Sequence, residues 1–181
     1  MKRMMVLLAS VLVLTACTQP KKESKESTAN KTEQTTKASS SAKEGQALEF
    51  VVAPQYEGKT SKLIELGKKL VKEHPELGSE GNMALYFTGA ISEGRAALML
   101  VNKTDVDIKK DLNFSISWSY DGKTIFDNQK VSYFIKDSGE LPSHTATMIL
   151  LPLNEEQMKI VDGMSDPPKM VLRMSDVNAV E

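Results

Sequence analysis

The nine residues Leu112 to Tyr120 read LNFSISWSY. In an extended chain Leu112, Phe114, Ile116, Trp118 and Tyr120 share one face, and Asn113, Ser115, Ser117 and Ser119 take the other, a period of two that a helix cannot bury on one side. The pattern predicts a strand with one wet face. It runs into Asp121-Gly122, a pair suited to the positive backbone angles of a tight hairpin turn, and a second strand begins at Lys123. The same alternation predicts strands at Leu48 to Ala53, Met83 to Thr88, Arg95 to Asn102, Val131 to Lys136, His144 to Leu151 and Lys169 to Met174. One run differs. Ala96 to Val101 (AALMLV) is apolar on both faces, so it belongs in the middle of a sheet that is covered on both sides.

Two segments carry helical signals instead. Ser61 to His74 (SKLIELGKKLVKEH) places Leu63, Ile64, Leu66, Leu70 and Val71 on one side and lysines and glutamates opposite, which predicts an amphipathic helix over about 61–74. Asn154 followed by Gln157 forms a capping pair and predicts a short helix near 154–161. Strands dominate. The expected fold is mainly β: an antiparallel immunoglobulin-like β-sandwich with one helix packed across it and a short second helix.

The strands all fall after residue 46. Thr18 to Gln46 contains no large apolar residue, so it cannot offset the cost of ordering its backbone, about 1 to 2 kcal/mol per residue. It is expected to be a disordered Ser/Thr/Lys-rich spacer with a mean reach of roughly 30 Å. Residues 47–181 are then expected to form a single globular domain.

Before the spacer stands a different composition. Met1-Lys2-Arg3 is basic, Met4 to Leu14 (MMVLLASVLVL) is apolar, and the run closes on Leu14-Thr15-Ala16-Cys17, which holds the chain's one cysteine. The apolar run is shorter than the roughly 20 residues that a membrane-spanning helix needs. A lone thiol excludes an internal disulfide, a CxxC redox pair and a cysteine zinc site. The basic start, short apolar run and LTAC sequence resemble the signal and lipobox of bacterial lipoproteins. The resemblance implies a signal peptide over 1–16, cleavage before Cys17, and a diacylglyceryl group on the Cys17 sulfur, with a second acyl chain sufficing for stable anchorage. It places the domain on the extracytoplasmic face of the cell membrane, and the long Ser/Thr/Lys spacer resembles those of Gram-positive lipoproteins. A second resemblance covers about residues 85–153. LVNKTDVDI (Leu100 to Ile108), the Asp121-Gly122-Lys123 turn and ELPSHTATMILLPL (Glu140 to Leu153) are similar to the SLAP-type β-sandwich repeat of Firmicutes envelope proteins. The sequence departs from that repeat in its final strand, where Met148-Ile149-Leu150 replaces aromatic residues.

Residues 47–181 hold 15 Lys and Arg against 20 Asp and Glu, a net charge of −5, and this balance disfavours nucleic-acid binding. No catalytic constellation is legible. His74 ends the helix beside Pro75, and His144 opens a strand; neither has a His, Cys or paired carboxylate at ligand spacing, and each reads as a surface or cap residue. Asn102, Asp105, Asp107 and Asp111 lack the glycine and distal glutamate of a calcium loop, so a solvated turn is expected. Gly58-Lys59-Thr60 and Gly122-Lys123-Thr124 lack the upstream glycine of a phosphate loop. Most of the domain's methionines fall within apolar strand patterns and read as core filling, and Trp118 reads as a core anchor. The expectation is therefore a non-catalytic interaction module without cofactor or metal, whose partner is an envelope protein or a cell-wall component. An enzyme or a small-ligand-binding lipoprotein is the alternative. The candidate surfaces are the apolar face of the Ser61 to His74 helix, if the sheet leaves it uncovered, and the loop Asp137 to Ser143.

Overall fold

A computed structural model describes residues 47–180; the expectations for Met1 to Gln46, Cys17 among them, lie outside those residues. The described chain is mainly β. Its elements are β1 (Glu49–Phe50), α1 (Lys62–Glu73), β2 (Met83–Ser92), β3 (Arg95–Asn102), β4 (Leu112–Tyr120), β5 (Lys123–Tyr133), α2 (Ile135–Ser138), β6 (Thr145–Pro152), α3 (Glu155–Asp162) and β7 (Met170–Ala179). They form a four-stranded sheet in the order β1-β6-β3-β2 and a three-stranded sheet in the order β5-β4-β7.

The two sheets share one core. Leu98 and Leu100 of β3 meet Phe114, Ile116 and Trp118 of β4 there, so the apolar face read from LNFSISWSY is the one that packs. Asp121 and Gly122 have φ of 49° and 76°, the paired positive angles that the hairpin turn requires. Ser115 departs from its expected wet position and is buried. It sits in the central strand, flanked by Lys130 of β5 and Ser175 of β7.

Strand β3 is covered on both faces, as its composition demands. Ala96, Leu98 and Leu100 point into the core between the sheets, while Met99 and Val101 point outward into a second cluster with Leu48, Val71 and Ala146. Helix α1 supplies Val71 to that cluster. Ser61 caps the helix by accepting a hydrogen bond from Ile64 N, and Gly67 lets the Phe50 ring lie against its backbone. The helix face is therefore packed on the sheet at Gly67, Leu70 and Val71, which removes that part as a free docking surface, while Leu63 and Ile64 stay half-buried. Asn154 and Gln157 make both halves of the capping box that starts α3.

Several boundaries differ from the sequence reading: β2 runs on to Ser92 and β7 to Ala179, and three further differences have local causes. The strands expected from Lys123 and over Val131 to Lys136 are one strand, β5. Its continuity depends on Asn128, which takes a φ of 49° beside a register shift opposite Ile116 to Trp118. Such a bulge absorbs one residue without ending the ladder. The chain then turns helical at Ile135, where Asp111 Oδ1 accepts a hydrogen bond from the backbone N–H at 2.8 Å. Finally, β1 is only two residues long and runs parallel to β6, because the chain leaves the sheet for a 3-10 turn at Pro54–Tyr56.

Candidate functional site

Three loops converge at the end of the first sheet where β3 stops and β6 starts. Asn102, fully buried, fastens two of them. Its amide nitrogen donates to the carbonyls of Val106 (2.9 Å), Leu141 (3.1 Å) and Pro142 (3.0 Å), and its Oδ1 accepts from Thr104 N and Oγ1. Lys103 holds the third loop. Its stem is buried, and Nζ reaches Pro75 O at 3.2 Å and Glu80 Oε1 at 3.4 Å.

His144 stands between these loops and is 3% exposed, which corrects the expectation of a surface or cap histidine. Its Nε2 lies 2.9 Å from Glu80 Oε2, and its Nδ1 lies 2.7 Å from Ser143 Oγ. This is the contact order of a serine–histidine–carboxylate relay. The serine hydroxyl is engaged elsewhere, however: its single proton also faces Thr104 O at 2.6 Å, so that carbonyl competes with the ring for it. Ser143 N donates to Asp107 Oδ1, and this bond, with Lys109 nearby, holds the Asp107 carboxyl below the usual range. Together these contacts tie loops far apart in sequence into one knot.

The hydrogen bond from His144, followed by that from Lys103, also holds the Glu80 carboxyl below its ordinary value of 4.5. A lowered folded-state value means that Glu80 stabilises the fold above its unfolded-state titration and loses that contribution as pH falls through the folded-state one. Glu80→Gln is accordingly expected to lower the melting temperature at pH 7, with the gap from the parent closing on acidification below about pH 4.5. Thermal scans across pH check this, and a gap independent of pH contradicts it.

The remaining expected residues have structural placements. Asp107 and Asp111 are committed to backbone N–H groups of Ser143 and Ile135, and Asn102 to the carbonyls above, so these three do not converge on a cation with Asp105. His74 is exposed and pairs with Glu76 at 3.1 Å. Met99 is buried, while Met83, Met164, Met170 and Met174 pack around the main core. Trp118 is 1% exposed against Phe87 and Phe126. The loop Asp137 to Ser143 is anchored by Leu141, which is fully buried and bridges to Ile108, and leaves Asp137 and Glu140 as its exposed residues.

Sequence reasoning missed one feature altogether. A groove of about 480 Å³ opens along β6 where β1 ends, with Phe50, Leu63 and Ile64 on one side and Phe114, Val131 and Tyr133 on the other. Only the brevity of β1 could have signalled it, and Pro54 is the residue that marks that brevity. Comparison with family models, curated proteins and solved structures returns no match.

Proposed function

We propose that this chain is a lipid-anchored extracytoplasmic lipoprotein, and that its domain is a non-catalytic immunoglobulin-like β-sandwich displayed for recognition at the cell envelope. The observation that carries the anchoring is Cys17, the chain's one cysteine, at the foot of an apolar run and within LTAC. What supports the sandwich reading is connectivity. The β2–β3 hairpin crosses to the β4–β5 hairpin, the chain returns to β6 beside β3, and it crosses again to β7 beside β4. That alternation between facing sheets is the Greek-key order of immunoglobulin-like domains. Kinship with SLAP-type repeats over about 85–153 is part of the same proposal. No helix among the described residues is long and apolar enough to cross a membrane, so within this reading the tether is lipid on Cys17. The domain's net charge of −5 favours a protein or cell-wall partner over nucleic acid.

The test is metabolic labelling with a clickable fatty acid. The parent chain is expected to take up label, and Cys17→Ala to lose all of it and to accumulate as uncleaved precursor. Label persisting in Cys17→Ala sinks the lipoprotein reading. A second reading, catalysis at Ser143 and His144, has the 2.7 Å contact between them in its favour. Turnover of an envelope substrate that is lost in Ser143→Ala would establish it.

A further inference from the structure

The groove along β6 is bounded by open main chain as well as by apolar side chains. Val51 N donates to Ala146 O at 2.8 Å, so the backbone of Ala146 faces β1. Strand geometry alternates, and the N–H and C=O groups of Met148 and Leu150 therefore face the same way. The β1 ladder stops at Phe50 opposite Ala146, and the chain turns off toward α2, where Pro54 comes so close to Gly139 that a side chain there would collide with it. Met148 and Leu150 are left with no main-chain partner on that side among the described residues. Edge strands are usually guarded by charge, proline or a covering element. Here Met148-Ile149-Leu150-Leu151 has no charged residue and no proline until Pro152.

We infer that the groove is a strand-addition site, which takes an extended peptide segment of a partner protein as the missing continuation of β1. The backbone identifies the occupant. An acyl chain or other apolar ligand laid over Met148 and Leu150 would bury their N–H and C=O groups unpaired, whereas a strand satisfies them. Side chains alternating along that strand would point in turn toward Phe114, Val131 and Tyr133 and toward Leu63 and Ile64. The charge environment selects for a neutral segment. Glu93 and Arg95 are the charged residues of the lining, and they are paired to each other at 2.5 Å. The chain's own spacer fits poorly, since Thr18 to Gln46 carries six lysines and four glutamates and no large apolar residue.

This inference rests on the recognition reading above but not on lipidation. Loss of label on Cys17 and loss of peptide binding are separate results, so either can fail alone. The experiment pans the full chain against random phage-displayed peptides of about eight residues, enough to cover a strand of ordinary length. Enriched sequences are expected to carry apolar residues at alternate positions. The synthetic peptides should slow hydrogen exchange at the Met148 and Leu150 amides by about tenfold or more. N-methylating their alternate amides should abolish binding. The inference is overturned if nothing is enriched, if protection falls elsewhere, or if N-methylated peptides bind unchanged. It is equally overturned if the protecting strand proves to be a second copy of the chain, seen as protection that rises with protein concentration, or the chain's own spacer, seen as protection lost on deleting residues 18–46.

Discussion

Replacing Trp118 with alanine is expected to destabilise the domain by about 3 to 5 kcal/mol, the largest effect of any single truncation in the core. The indole is 1% exposed, lies 4.9 Å from the Phe87 ring and 6.0 Å from Phe126, and so joins both sheets at their centre. Removing it opens a cavity between two rings that are held by separate sheets and cannot both collapse into it. Trp118 Nε1 is buried without a hydrogen-bond partner, and an unsatisfied donor costs about 1 to 3 kcal/mol. Trp118→Phe removes that donor while keeping most of the ring volume, so it is expected to cost far less than the alanine change. Urea melts of the two variants check the pair. An alanine cost under about 0.5 kcal/mol would take Trp118 out of the core and reopen it as a binding residue.

Asn102→Asp is the second large effect, expected at about 3 to 5 kcal/mol at pH 7. The side-chain nitrogen faces the carbonyls of Val106, Leu141 and Pro142. An oxygen in its place turns three attractions into repulsions and adds a buried charge with no cation opposite. Lys103 is the neighbouring residue, but its ammonium is committed to Pro75 O and Glu80. The sign with pH follows directly. A carboxylate that is disfavoured in the fold has a raised folded-state pKa, so the variant should regain stability on acidification, opposite in direction to the behaviour of Glu80. Asn102→Ala strips Thr104 N of its acceptor, while the three carbonyls keep Thr104 Oγ1, Ile108 N and Thr145 Oγ1 as donors, so it is expected to cost less than the aspartate change, about 1 to 3 kcal/mol, with little dependence on pH. Hydrogen exchange would show the loops around Val106 and Leu141 loosening first in both variants.

These effects mark what the sequence makes legible. The alternation in LNFSISWSY and the two-faced apolar run AALMLV locate β4 and β3, because burial on one face or on both leaves a direct trace in composition. The turn at Asp121-Gly122 and the capping box at Asn154 are local, and they too read correctly. Long-range pairing leaves no such trace. His144 reads as an ordinary surface residue until the fold brings in Glu80 from 64 positions away, and no spacing rule reaches that far. Asn128 shows the converse error. The segments from Lys123 and from Val131 read as separate strands, but one residue with positive φ between them makes a bulge within a single β5. The groove was illegible because it is made by an early exit: Leu48 to Ala53 has strand composition throughout, yet pairs with β6 over only two residues.

The mature N-terminus is the most direct test of lipid anchorage, and intact mass analysis of the protein from the envelope fraction can read it. The predicted result is a chain beginning at Cys17 whose terminal peptide carries the mass of a diacylglyceryl group. A chain that retains Met1, or one that begins elsewhere with an unmodified Cys17, contradicts it.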